Sequence, residues 1–310
     1  MASDVQLREW LNFPVLLYGP RKSGTTLLLN LLDGSPELLA FPTETKFKYF
    51  VGHWPTGAAA RRRYFEQSIT TRKQYAGLNS AAFNDGAANA VGYPMSSIRE
   101  LIQYEANLIY DCLEDKSARL RMFAMKDVGG HTELITGLFR QCFLDGKIVM
   151  IARQPQFVAR SVFRNRRRRG VRLSFVDKMR QAFDPERIID RQYRIIESDR
   201  SVHLLFYEDL VSETEQVMKG VSAYLGLEYD EVFSRPTIFG EDVVVSTSSQ
   251  ATQDVFVDTA SWTADLTLSE RCAIFFVPLV KAVWRRLSGR RLHSYDDLRR
   301  LCQQRCAENP

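Results

Sequence analysis

Short apolar runs alternate with longer amphipathic stretches along this 310-residue chain. The runs stand at Val15–Tyr18, Leu38–Phe41, Met122–Met125, Ile148–Ile151 and Val202–Tyr207. They are apolar at nearly every position rather than at every second one, which predicts strands covered on both faces. Amphipathic segments between such strands predict βαβ units and a mainly parallel sheet.

Three helices stand out. Thr25–Asp33 puts Leu28, Leu31 and Leu32 on one side and stops at Gly34. Ile98–Leu113 carries Leu101, Ile102, Leu108, Ile109 and Cys112 at helical spacing. Ser212–Leu225 opens with Ser-Glu-Thr-Glu, the capping-box pattern in which Ser212 and Glu215 satisfy the first free amides. The stretch Phe50–Pro94 is irregular, rich in Gly, Ala and Asn with scattered aromatics, and is expected to form an insertion or lid beside a site. Leu268–Ala307 is expected to form two helices, the first kinked at Pro278. With no internal repeat and no low-complexity linker, the expectation is one domain over residues 1–310, with an acceptor-site insertion at 50–94 and a helical extension at 267–307.

Composition narrows the class only a little. At 45% hydrophobic and 25% charged residues, wholesale disorder is excluded. A net charge of +5 favours an anionic ligand without demanding nucleic acid. No run approaches the ~20 apolar residues of a membrane span, and the first residues lack the basic stretch and apolar core of a signal segment. The five cysteines are odd in number and have no CxxC spacing, which argues against a disulfide framework or a zinc site. A reducing, cytoplasmic setting is therefore expected.

The most informative segment is Val15–Leu28, VLLYGPRKSGTTLL: a strand, a tight loop and a helix that begins at paired threonines. Such a loop points successive backbone N–H groups inward, and the helix N-terminus adds positive potential, so a phosphate is favoured there. Gly24 permits close backbone approach, while Thr25 and Thr26 supply hydroxyls. The spacing departs from the GxxxxGK[ST] loop of ATPases and kinases. Gly19 and Gly24 are correctly placed, but Thr25 occupies the lysine position and the lysine has moved to Lys22.

The run Pro20-Arg21-Lys22-Ser23-Gly24-Thr25-Thr26-Leu27 resembles the 5′-phosphosulfate loop of sulfotransferases that use PAPS (3′-phosphoadenosine 5′-phosphosulfate). It is one residue longer, because both Arg21 and Lys22 precede Ser23. The resemblance implies that Lys22 acts at the bridging oxygen of the leaving group. Lys147–Phe163, KIVMIARQPQFVARSVF, is similar to the family's 3′-phosphate segment, in which an arginine after a strand and a serine eight residues later share one phosphate. Arg153 and Ser161 hold those positions, and a guanidinium fork with a neutral hydroxyl suits that group.

Two further segments are similar to the family's. Phe206–Leu227 matches a strand, a Y-E-D-L turn and a helix, taken as scaffold. Val245–Trp262 resembles the loop that closes over the nucleotide in the carbohydrate and tyrosyl-protein branches, and implies that either Ser248 or Ser249 faces the donor. The R-K-G loop of the cytosolic small-molecule branch is absent from the sequence.

Transfer to a hydroxyl needs a base and positive groups for the departing charge. Glu44, in Phe41-Pro42-Thr43-Glu44-Thr45-Lys46, resembles the catalytic glutamate of the E-E-T-[RH] segment in tyrosyl-protein sulfotransferases, with Thr43 replacing the first glutamate. Lys126 resembles that branch's K-D lysine, which stabilises the transferring group. His131 is the rival base, by analogy with the cytosolic branch; His53 is another. Arg160, Arg164, Arg166, Arg167, Arg168 and Arg169 form a basic run that reads either as an attraction zone for an acidic acceptor or as a solvated helix end. No aromatics interleave it, which weakens a nucleic-acid reading.

The resulting expectation is a three-layer α/β sandwich around a parallel sheet, similar to nucleotide kinases. Its activity would be in-line transfer of a sulfuryl group from PAPS to a hydroxyl-bearing acceptor such as an acidic glycan or peptide, with PAP as product and no metal. The alternatives are a small-molecule kinase and an inactive PAPS-binding protein; oligomeric state is left open.

Overall fold

The computed structural model describes residues 8–45, 47, 64, 77–92, 95, 97–243, 245–246, 251–252 and 261–308. Five strands form one sheet: β1 (Pro14–Gly19), β2 (Leu38–Glu44), β3 (Met122–Val128), β4 (Lys147–Ala152) and β5 (Val202–Phe206). Their order is β2-β3-β1-β4-β5 and every pairing is parallel.

The alternation of strand side chains builds two cores. Leu16 and Tyr18 of β1, Phe123 and Met125 of β3, and Ile148 and Met150 of β4 face one side. Val15 and Leu17, Ala124, and Val149 and Ile151 face the other. The second face is covered by α1 (Thr25–Asp33) and a later helix, α8 (Thr214–Leu225). The first is covered by α3 (Ile98–Asp111), α4 (Thr132–Cys142), α6 (Phe175–Ser198) and α11 (Tyr295–Glu308). These three layers are the sandwich that the doubly apolar strands require.

A third, smaller core joins α5 (Pro155–Arg168) and α6 to α9 (Leu268–Phe275) and α10 (Val277–Ser288) through Phe163, Ala182, Ala273 and Val277. The chain leaves β1 towards β2 on one side, while β4 and β5 lie on the other. The carboxyl end of β1 is thus the topological switch point, where open α/β sheets bind ligands.

Several boundaries differ from the pattern-based expectation. The fifth strand ends at Phe206, and Tyr207 opens α7 (Tyr207–Ser212). The capping box at Ser212 does not form: Ser212 ends α7, its hydroxyl donating to the Glu208 carbonyl at 2.9 Å, and α8 starts at Thr214 with no side-chain cap. Serine in a helix readily bonds back to the preceding turn, and here that bond wins. The tail contains three helices rather than two, and Pro278 sits in the first turn of α10, where its missing N–H costs nothing, instead of kinking a longer helix. Within the expected insertion, α2 (Ser80–Ala90) is regular and is capped by Asn79, whose side chain accepts from the Ala82 amide at 3.0 Å.

Phe123 centres the larger core. It is fully buried, stacks on Phe41 at 5.5 Å and meets Trp10 and Phe143 edge-on. Phe123→Ala is expected to lower unfolding free energy by about 3–5 kcal/mol, read as a reduced urea midpoint with an unchanged slope.

Candidate functional site

At the end of β1 the chain makes a turn, with the Ser23 amide donating to the Pro20 carbonyl at 3.1 Å, before α1 begins. Lys22 takes a left-handed φ of 69°, a conformation that is unfavourable for a side-chain-bearing residue. That conformation absorbs the extra residue between Pro20 and Gly24. Two contacts hold it: Arg153, just past β4, donates from Nη1 to the Lys22 carbonyl at 2.9 Å, and its guanidinium lies 4.0 Å from the centre of the Tyr207 ring. Gly24, at φ 103°, packs so closely on Tyr207 that a Cβ there would lie 2.3 Å from the ring. Three strand ends therefore meet in one cradle: the loop after β1, Arg153 after β4 and Tyr207 after β5.

The cradle is positively charged. Partial burial, and then the guanidinium groups of Arg169, Arg168 and Arg153, hold the Lys22 ammonium below its ordinary value. Cations gathered against one another around a loop of backbone amides form a site that an anion would relieve. Ser161 lies on the buried side of α5, at 7% exposure and six residues past Pro155. Thr25 is buried in the first turn of α1, while the Thr26 hydroxyl accepts from Lys126 Nζ at 2.8 Å.

On the other side of the loop, β2 and β3 bring Glu44 and Lys126 together as register partners across an irregularity after Ala40. The Thr45 amide donates to the Lys126 carbonyl at 2.9 Å and fixes the pair. Burial pushes the Lys126 ammonium down to about 8, against the opposing pull of the Glu44 carboxylate. The cradle, the lysine and the carboxylate thus share the carboxyl edge of the sheet.

Arg21 lines a cavity of about 420 Å³ together with His131, Arg166, Arg191, Asp127 and Asp184, over an apolar floor that includes Val158, Val162 and Ile188. His131 occupies the N-cap position of α4 without making a side-chain cap. Ser248, Ser249 and His53 fall outside the described residues.

The arginine run divides in a way that neither reading anticipates. Arg160, only 3% exposed, donates to the Ala264 carbonyl and pairs with Asp265; Arg164 also reaches Asp265, and Arg167 pairs with Glu270. These three fasten the segment that enters α9. Arg168 and Arg169 act on Lys22, and Arg166 faces the cavity.

Tyr207 is the site residue that sequence reasoning missed. Its neighbours explain its placement: Glu208 accepts from the Gln154 amide at 3.0 Å and from the Tyr295 hydroxyl at 2.5 Å, and Asp209 pairs with Arg299 at 2.6 Å. The only available signal was its position, an aromatic at a strand end immediately before two carboxylates.

Residues 14–231 match the model of the Sulfotransferase family. The chain belongs to that family, and sulfuryl transfer is the activity that membership implies. No curated protein matches it in sequence. Among solved structures, the sulfotransferase domain of the Synechococcus PCC 7002 olefin synthase is 20% identical, with 86% of this chain and 94% of that chain covered and a TM-score of 0.47. The sulfotransferase of Alicyclobacillus acidocaldarius is 14% identical, covering 90% and 96% at 0.48. Mouse sulfotransferase SULT7A1, complexed with PAP, is 14% identical, covering 97% and 94% at 0.46.

Because Lys126 is depressed to about 8 in the folded chain, against ~10.4 for an unperturbed lysine, it opposes folding at neutral pH. That cost is relieved as pH rises through about 8 towards the unfolded value. Glu44→Gln removes the one charge that raises it, so the Lys126 titration should move lower still. Titrating ¹³C-methylated lysines by NMR, with Lys126→Arg for assignment, checks both the value and the direction; an unchanged Lys126 in Glu44→Gln would show that the two do not interact.

Proposed function

We propose that this chain, acting as one sulfotransferase domain, transfers a sulfuryl group from PAPS to a hydroxyl of its acceptor. The observation that carries this reading is the convergence of Lys22, Arg153, Arg168 and Arg169 on a backbone cradle at the sheet's switch point, with Lys126 and Glu44 beside it. The residues fit the donor. A loop that bonds to a guanidinium, with Gly24 leaving no room for a Cβ, suits a 5′-phosphosulfate. Arg153 and the buried Ser161 suit a second phosphate one helix away.

The donor supplies an activated S–O bond whose cleavage releases PAP with the bonding pair. The protein's part is positional and electrostatic. Glu44 accepts the acceptor's hydroxyl proton as the new O–S bond forms, and Lys126, held by Thr26, neutralises charge on the sulfuryl oxygens. Lys22 and the loop amides stabilise the departing oxygen, while Arg153 and Ser161 fix the nucleotide. Glu44, the register partner of Lys126, is taken as the base in preference to His131, which borders the cavity beside Arg21.

The cavity beside Arg21 supports an acceptor that carries negative charge near its hydroxyl. Neither Arg21 nor Arg166 has an ion-pair partner among the described residues, and a carboxylate or sulfate would neutralise them. An odd number of cysteines without CxxC spacing supports a reducing, cytoplasmic setting.

Transfer from ³⁵S-labelled PAPS to a panel of acidic glycans, tyrosyl peptides and neutral alcohols tests the assignment. Glu44→Gln is expected to lower kcat by about 10²–10⁴ with PAPS affinity retained, and Arg153→Ala to raise the KM for PAPS. Full turnover in Glu44→Gln would remove the carboxylate from the mechanism. Failure of the wild type to label any acceptor while binding PAP would favour a binding protein.

A further inference from the structure

One surface of the molecule has no part in the chemistry. α10 uses only part of its apolar arc against the body of the protein: Val277 is buried in the third core, Val280 packs on it, and Trp284 meets Phe183 at 6.1 Å. Lys281, on the same flank, pairs with Glu186 at 2.9 Å. The rest of the arc is open. Phe275, Leu279, Val283 and Leu287, every fourth residue, are 73%, 60%, 50% and 83% exposed, and Phe276 beside them is 41% exposed. Side chains four apart lie along one stripe of a helix, so this is a continuous ridge and not a scatter of single exposed residues.

Charge decides what such a ridge fits. Between Arg271 and Tyr295 the chain carries Arg271, Lys281, Arg285, Arg286, Arg290 and Arg291 and no acidic residue. Arg285, Arg286 and Arg290 are exposed and have no carboxylate partner among the described residues. Placing α10 against α10 of a second copy would bring no carboxylate to these cations, because the segment from Arg271 to Tyr295 has none. A nucleic acid would meet the cations but would leave Leu279, Val283 and Leu287 without an apolar partner. Leucines, valine and phenylalanine along one stripe, with Arg286 at its border, Arg285 beside it and Arg290 just past the helix end, form the pattern of a helix that lies in the plane of a lipid–water interface.

We propose that α10, with the end of α9, docks on an anionic lipid bilayer. Phe275, Leu279, Val283 and Leu287 enter the headgroup–acyl boundary, and Arg285, Arg286 and Arg290 meet lipid phosphates. No helix among the described residues is long and apolar enough to cross a membrane, so this contact is a surface one. It is independent of the sulfuryl-transfer assignment, because none of these residues belongs to the phosphate cradle.

Flotation of the whole chain with vesicles of phosphatidylcholine alone, or with one third phosphatidylglycerol, tests the surface. The expected result is co-flotation with the anionic vesicles only, weakened by salt, and a blue shift of Trp284 emission that Trp284→Phe abolishes. Leu279→Glu with Leu287→Glu should lose at least tenfold in vesicle affinity. Arg285→Glu with Arg286→Glu should lose about fivefold or more per position. Both pairs are on exposed positions, so circular dichroism and PAP affinity should remain those of the wild type, which separates loss of docking from loss of fold. Three outcomes overturn the proposal: a wild type that stays with the lipid-free fraction, equal binding to neutral vesicles with the arginine pair replaced, or self-association by sedimentation velocity that the leucine pair abolishes.

Discussion

The site is tied together by a hydrogen bond between two loops that are far apart in sequence: the Arg153 guanidinium to the Lys22 carbonyl. Lys22 lies in the left-handed region, where backbone conformation works against it, and the loop carries one more residue between Pro20 and Ser23 than the motif it resembles. The bond from Arg153 holds that turn in place. It also draws a second cation to the loop, so the contact that secures the backbone adds positive charge beside Lys22. Tyr207 completes the arrangement by lying under Gly24 and against the same guanidinium.

The surrounding fold can be read as support for that contact. Glu208 ties the start of α7 to the Gln154 amide, which fixes the turn that launches Arg153, and Tyr295 and Arg299 of α11 brace Glu208 and Asp209. The C-terminal helix thus reaches the site without touching the cradle. α9 is secured separately, by Arg160, Arg164 and Arg167 from the helix that follows Arg153. The same helix thus serves both: Arg168 and Arg169 at its end act on Lys22, while Arg160, Arg164 and Arg167 hold the segment that enters α9.

All five sheet strands were legible because each is a short run apolar at nearly every position, the mark of burial on both faces. Their order was not, since pairing is decided by crossovers that leave no local signature. Lys22, Arg153, Glu44 and Lys126 were found through motif spacing, and the structure brings all four to the same sheet edge. Tyr207 was hidden because an aromatic after a strand is unremarkable until Gly24 is seen to pack on it. The Ser212 box failed for a local reason, a hydroxyl that bonds backwards to Glu208. Arg160, Arg164 and Arg167 do share one helical face by spacing, a signal that their partners lie together. Those partners, Asp265 and Glu270, are about a hundred residues away and could not be inferred from it.

The central claim is that the cradle at the end of β1 is built for a nucleotide with phosphates at two positions. Calorimetric titration of the whole chain with PAP, 5′-AMP and magnesium-ATP addresses it most directly. The account predicts that PAP binds tightly without magnesium and that 5′-AMP, which lacks the 3′-phosphate, binds far more weakly. Magnesium-ATP binding as well as or better than PAP, with 5′-AMP indistinguishable from PAP, would contradict it.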